Sequence, residues 1–233
     1  MSHPLDRCIW HALAGRQAGF AHGNARALRY GTEYAPFAAT IDDTPASLAG
    51  LPDIIPAGGA VALFTRDALA FPETIATLRR ALVTQMILPP GALAAGIPDP
   101  PPATRALTDD DVAAMTALVA LTQPGPFANR TIVLGRYLGV FEDDTLIAMA
   151  GERMCLDGFV EISAVCTHPD HRGRGLAASL IATLARAAFK RGESPFLHAF
   201  ADNTTALSVY RTLGFSTRAS PHLAIVGRAE KRN

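Results

Sequence analysis

The stretch HPDHRGRGLAASLIATLARA, residues 168–187, sets a Pro-Asp turn and an Arg-Gly-Arg-Gly loop directly before a run with helical apolar spacing. A helix opens with backbone N–H groups that lack an intrahelical partner and with the positive end of its dipole. Gly173 and Gly175 let backbone approach a ligand where a Cβ would obstruct it, and Arg172 and Arg174 can add bidentate donors. That combination describes an anion site, and a diphosphate is a natural guest. The dinucleotide fingerprint fits poorly because its third glycine is missing, and the P-loop fails because no Gly-Lys-Ser/Thr follows. Taken alone, the loop also reads as a solvated turn with a helix cap. Cys166, His168 and His171, with Cys155, offer soft and imidazole ligands, but their spacing departs from that of zinc pairs and no metal is expected.

Other groups suit proton transfer. Asn203 and Tyr210 are seven positions apart, so they share one face of a helix. A tyrosine, with an unperturbed pKa of about 10, stays protonated at neutral pH and keeps a hydrogen to donate. His198 in PFLHAF has an intrinsic pKa of about 6.5, which suits a base, and Glu161 in EISAV competes for that role. A locally hydrogen-bonded structural group is the alternative for each.

These residues need elements to position them. Thr108 and Asp111 resemble a capping box before the helix VAAMTALVAL. RTIVLGRYLGVFE, TLIAMAGERM and FVEISAVCT then read as strands joined by the turns EDDT and CLDG, which makes an antiparallel meander. A helix from Leu176 to Lys190, the strand SPFLHAF, the helix DNTTALSVYRTLGF and the strand HLAIV follow. In a regular strand Glu161, Ser163, Val165 and Thr167 share one face, opposite Ile162, Ala164 and Cys166. Upstream, residues 5–27 read as helical, and YAPFAATI, GAVALF and RALVTQMIL as short strands. The proline-rich stretch 89–103 separates this part from the rest. The expected organisation is an N-terminal α/β domain at 1–88, a linker at 89–103 and a second domain at 104–233. The expected class is α/β (α+β), with a mixed, mostly antiparallel sheet and helices on both faces.

Composition narrows the function classes. The 233 residues include 21 Lys plus Arg and 21 Asp plus Glu, so no overall field attracts nucleic acid or an anionic membrane, and neither partner is expected. No apolar run approaches the roughly 20 residues that span a bilayer. MSHPLDRCIWHALAG lacks a signal-peptide core, and Cys8, Cys155 and Cys166 form a sparse, odd set that fits a reducing compartment. A cytoplasmic protein is expected.

RGRGLA fits the Arg/Gln-x-x-Gly-x-Gly/Ala pattern of the GNAT superfamily of acyl-CoA-dependent N-acetyltransferases, and VCTHPDHRGRGLA extends the match into the preceding strand. NTTALSVYRTLGF resembles that superfamily's second signature. The resemblance covers roughly residues 104–226. SAVCTHPDHRGRG with FLHAFADN is similar to the C-terminal part of glycine N-acyltransferases. The resemblance implies that the pyrophosphate of acetyl-CoA, the co-substrate, sits on amides of Arg172, Gly173, Arg174, Gly175, Leu176 and Ala177. It implies that pantetheine lies along Val165, Cys166 and Thr167 where two strands splay, that Asn203 contacts coenzyme A, and that Tyr210 is the general acid. It also implies transfer of an acetyl or short acyl group to a small-molecule or peptide primary amine by direct attack. The loop PGPFANR, residues 124–130, is a candidate wall for the acceptor pocket. A coenzyme-A-binding sensor without catalysis is the alternative reading. The N-terminal part is compatible with a degenerate partner domain of similar shape that completes the acceptor cleft or forms a homodimer interface.

Overall fold

The computed structural model describes residues 3–229. In chain order its elements are α1 (Cys8–Ala14), β1 (Ala21–Gly23), β2 (Ala27–Tyr30), β3 (Ala38–Thr40), α2 (Pro45–Leu48), α3 (Leu51–Ile54), β4 (Ala60–Thr65), β5 (Ile75–Ile87), β6 (Thr104–Ala106), α4 (Val112–Thr122), β7 (Tyr137–Glu142), β8 (Thr145–Leu156), β9 (Phe159–Thr167), α5 (Leu176–Lys190), β10 (Ser194–Phe200), α6 (Thr204–Thr212), β11 (Ser216–Ala219) and β12 (His222–Arg228). Strands β1, β2 and β3 form a small sheet. Among the described residues nine strands form the main sheet, ordered β4-β12-β5-β10-β9-β8-β7-β6 with β11 also beside β5. Its one parallel pair of strands is β9 with β10.

Local sequence explains the main elements. Asp143 and Asp144 both take positive φ, 46° and 61°, so the β7–β8 turn has the handedness that matches strand twist. Helix α5 buries Leu176, Leu180, Ile181, Leu184, Ala185 and Ala188 on one stripe and ends at Gly192, whose φ is 77°. Strand alternation divides the sheet into two faces. Val140, Ile147, Ala150, Ile162 and Leu197 pack with α5 and with Leu207 and Tyr210 of α6. On the other face Tyr137, Met149, Ala164 and Cys166 meet Met115 and Leu118 of α4, while Met154, Leu156 and Phe196 meet Ile9 and Leu13 of α1. No helix among the described residues is long and apolar enough to cross a membrane.

Several expectations need correction. The helical reading of 5–27 shrinks to α1 because the chain turns at Gly15 and draws Gln17 into the core, where its amide donates to Leu134 O at 3.1 Å and Arg153 O at 2.8 Å. YAPFAATI supplies only the short β3. In RTIVLG, Thr131–Leu134 forms a 3-10 turn, and β7 starts later. At Gly135 the two backbones come so close that a Cβ would stand 2.6 Å from Glu152 Cβ. Tertiary contact overrides the local β preference there.

The proline-rich stretch is a docked crossover, and the main sheet is continuous across it. Strand β5, from the N-terminal part, lies between β10 and β12 of the C-terminal part. Leaving β5, the crossover packs Leu93 and Ile97 on the α5–α6 cluster. Ala94 N donates to Leu213 O at 3.1 Å, and Asp99 meets Arg186 at 3.6 Å. Gly214 holds the closest approach: its φ is 99°, and a Cβ would fall 2.0 Å from Ala92 O. Gly214→Ala should therefore destabilise the fold by roughly 2 kcal/mol or more, from backbone strain and displacement of the crossover. Urea denaturation checks this; an unchanged midpoint would mean that the crossover is loosely held.

Candidate active site

Strands β9 and β10 pair only at Phe159↔Ser194, Val160↔Pro195 and Glu161↔Phe196. Beyond that point β10 continues beside β5, from Phe196↔Ile87 to Phe200↔Val83, while β9 stays with β8. The sheet is thus forked, and β9 from Ile162 onward presents an edge without a strand on the β10 side. A bulge accompanies the fork: Met149 faces Cys166 and Gly151 faces Ser163, so β9 carries one extra residue, and Ala164 has φ 51°. The regular alternation expected for β9 fails for this reason. Ile162 and Val165 join the α5 face, and Ala164 and Cys166 join the α4 face. Burial pushes the Cys166 thiol up to about 11, which makes it packing, not a nucleophile.

The glycine loop lies between the open end of β9 and α5. His168 N donates to Ile147 O at 2.7 Å, and Asp170 N to His168 Nδ1 at 3.3 Å, which sets the turn Pro169–His171. Gly173 and Gly175 take φ of 76° and 73°, and a Cβ on either would project into open space. The amides from Gly173 to Ala178 have no partner among the described residues; the first satisfied one is Ser179 N, on Gly175 O at 3.0 Å. Consecutive free donors at a helix mouth, with nothing over the glycines, fit an extended phosphate group. Of the two arginines, Arg174 is tied back to Glu142 at 2.9 Å and His171 at 2.8 Å. Arg172 is exposed and makes no ion pair among the described residues.

Helix α6 begins at Asn203, whose Oδ1 accepts from Ala206 N at 3.1 Å. The cap uses one lone pair of that oxygen and leaves the side-chain NH2 free to donate to a ligand. Tyr210 is buried in the same apolar cluster as Ile162 and Leu176. Burial alone raises its phenol to about 12, and no hydrogen bond contributes to the shift.

On the opposite face, the base of the fork carries a buried polar chain. Arg153 makes a bidentate pair with Glu161, both bonds 2.8 Å, and its guanidinium lies 4.5 Å over the Phe37 ring. Glu161 also accepts from His198 Nδ1 at 2.8 Å. Burial works to raise the Glu161 carboxyl, but the Arg153 charge and the hydrogen bonds outweigh it and hold the group at about 2. His198 Nε2 faces Gln85 Nε2 at 3.0 Å. Gln85 can point only one way, because its NH2 donates to Leu5 O at 3.0 Å and its Oε1 accepts from Arg218. Gln85 therefore donates to His198 Nε2 and occupies its lone pair. His198 and Glu161, weighed as alternative bases, lie in direct contact, and each is engaged by internal partners. Arg153, Gln85 and Arg218 escaped sequence reading. Arg153 had a signal, a cation inside the apolar run LIAMAGERMC that needs a buried partner.

The residues weighed as metal ligands do not converge. Cys166 faces α4, and His171 faces Glu142. Among the described residues no group of three or more His, Cys, Asp or Glu could hold a metal ion.

Comparison with known proteins adds independent findings. The family model for FR47-like proteins matches residues 137–222, which run from β7 to the start of β12. A protein of Novosphingobium aromaticivorans described as an acetyltransferase of the GNAT family superposes with a TM-score of 0.87. The two are 36% identical, over 98% of this chain and 100% of that one. YobR of Bacillus subtilis, an uncharacterized N-acetyltransferase, is 29% identical over 90 residues, 38% of this chain and 36% of that relative's length. A GCN5-related N-acetyltransferase of Kribbella flavida shares the fold, with a TM-score of 0.63, 19% identity and 94% coverage of both chains.

The Arg153–Glu161 pair makes stability pH-dependent in one direction. With a folded-state value near 2 against 4.5 for the free carboxyl, its contribution is full above the unfolded value and is lost as pH falls toward the folded one. Glu161→Gln should cost about 3–5 kcal/mol, because it leaves Arg153 buried without its counter-charge. It should also flatten the acid limb of stability between pH 4.5 and about 2. Denaturation across pH tests both, and an unaltered acid limb would assign that limb to other carboxylates.

Proposed function

Because this chain belongs to the GNAT superfamily of acetyltransferases, we propose that it transfers an acetyl group from acetyl-CoA to a primary amine by direct attack. The observation that carries the reading is the fork, with an unpaired β9 edge leading to a row of free amides at the α5 mouth. In this reading the amides from Gly173 to Ala178 and the free Arg172 hold the donor's pyrophosphate. The edge at Val165, Cys166 and Thr167 takes up the peptide-like arm as an added strand would. An N–H of that edge polarises the thioester carbonyl and stabilises the oxyanion.

The fork joins two faces with different tasks. The amine attacks from the α1–α4 face, the carbon–sulfur bond breaks, and the departing thiolate takes the Tyr210 proton on the α6 face. With its phenol at about 12, Tyr210 stays protonated throughout the working pH range. Glu161 is too weak a base at about 2, and the His198 lone pair is taken by Gln85. The amine proton therefore leaves to water.

Tyr210→Phe should lower kcat by about 10²–10⁴-fold with little change in KM for acetyl-CoA. Amine-dependent thiol release measures this, and an unchanged kcat would remove Tyr210 from the acid role. Gly175→Val strains a backbone at φ 73° and fills the space over the amides. It should abolish acetyl-CoA binding by calorimetry, and normal affinity would move the pyrophosphate elsewhere.

A further inference from the structure

At the far end of α5 from the glycine loop, a cleft of about 350 Å³ opens to solvent. Its walls come from the turn after α1, from the segment that enters β7, and from Glu152 and Cys155 of β8. Helix α5 has 15 residues, about 22 Å at the helical rise, and Arg191 of the cleft directly follows its last residue. The cleft is therefore separate from the proposed donor site, and its volume is that of a small-molecule pocket.

Three guanidinium groups line it: Arg16, Arg136 and Arg191. Two of them are held by buried carboxylates. Glu193 accepts from Arg16 Nη1 and, at 2.8 Å, from Arg191 Nε. Glu152 accepts from Arg191 Nη2 at 2.7 Å. Among the described residues these bonds leave Arg16 Nε and Nη2 and Arg191 Nη1 without partners. Arg136 is exposed, and its guanidinium has no partner at all among those residues. Its backbone is nonetheless fixed, because Glu152 N donates to Arg136 O at 2.8 Å. Three cations against two carboxylates leave one positive charge, and the surplus one stands beside two guanidiniums that are already held in place.

The remaining wall is apolar or already satisfied. Phe20 is half-exposed and meets the Tyr34 ring edge-on at 5.0 Å, and Leu134 is buried. Gln17 has nothing left to offer: its NH2 donates to Leu134 O and Arg153 O, and its Oε1 accepts from the Tyr30 hydroxyl and from Cys155 N. The open polar contacts are thus the guanidinium forks, which match a planar carboxylate in two-point geometry. One surplus charge balances a carboxylate and falls short of a phosphate dianion.

We propose that this cleft is a second ligand site, which takes a monoanionic aromatic carboxylate between Arg136 and the free N–H groups of Arg16 and Arg191, with its ring against Phe20. The proposal goes beyond acetyl transfer and does not rest on it.

The test is calorimetry on the full chain with sodium benzoate, and with benzamide and inorganic phosphate as comparison probes, in the presence and absence of saturating coenzyme A. Benzoate should bind at least about tenfold more tightly than benzamide, as expected for a charge-assisted bond, and equally well with coenzyme A present. Arg136→Gln should weaken benzoate by about tenfold or more and leave coenzyme A affinity unchanged. Because Arg136 is exposed, the urea midpoint should stay where it is. Arg136→Lys restores the charge without the fork and should recover only part of the loss. Absence of benzoate binding to the parent, or equal affinity in Arg136→Gln, overturns the site. Exclusion of benzoate by coenzyme A would place it at the α5 mouth and overturns the site as well, and phosphate binding more tightly than benzoate overturns the carboxylate class. None of these readouts needs turnover, so failure of the transferase reading would leave them standing.

Discussion

The Arg153–Glu161 pair sits at the last rung before β9 and β10 part, and the geometry above it depends on that rung. Removing two charges from water costs several kcal/mol per ion, and only near-ideal geometry with further hydrogen bonds offsets it. Both conditions hold here. The guanidinium is bidentate and stacked on Phe37, and the carboxylate takes a third bond from His198. Because Arg153 is on β8, Glu161 on β9 and His198 on β10, the cluster clamps three strands together at the point where backbone pairing ends. The arrangement is closed to slippage, since a one-residue shift would turn a buried charge toward the opposite, apolar face.

The N-terminal part is integral to this clamp. Strand β5 supplies the neighbour that draws β10 away from β9, and its Gln85 fixes the far side of His198. The chain of contacts runs on through Arg218 to Asp6, at 2.5 Å, just before α1. Helix α1 and Phe37 then cover the polar cluster, as Ile9, Leu13 and Phe37 belong to one core with Met154 and Phe196. The segment before the crossover therefore opens the fork and seals one of its faces, and the two parts of the chain cannot be energetically independent.

Much of this was legible in the sequence, and the reasons differ by element. Helix α5 and strands β9 and β10 were readable to the residue because period, cap and turn signals agreed. The position of the loop at 172–177 before α5 was readable from its glycines and the helical spacing that follows, although a solvated turn with a helix cap fits the same residues. The bulge at Ala164 was not, since alternation carries no mark of an inserted residue and alanine is not the residue that a positive φ favours. Continuity of the sheet was hidden as well. Prolines at 89–103 signal only that no ladder forms there, and a docked crossover and a free linker share that composition. His198 and Glu161 were readable only as competing bases; their contact, and their engagement by Gln85 and Arg153, joins positions distant in sequence.

With its charges balanced, the chain offers a polyanionic donor of the kind proposed no attraction from its overall field. At the α5 mouth Arg174 is paired with Glu142, so on the proposed reading Arg172 and the free amides would do most of the holding. Backbone amides are fixed dipoles whose attraction is short-ranged and is screened less by salt than that of mobile surface cations. On the proposed reading, donor affinity depends on the shape of the loop more than on its charge, which is why two glycines held at positive φ matter there more than the arginines beside them.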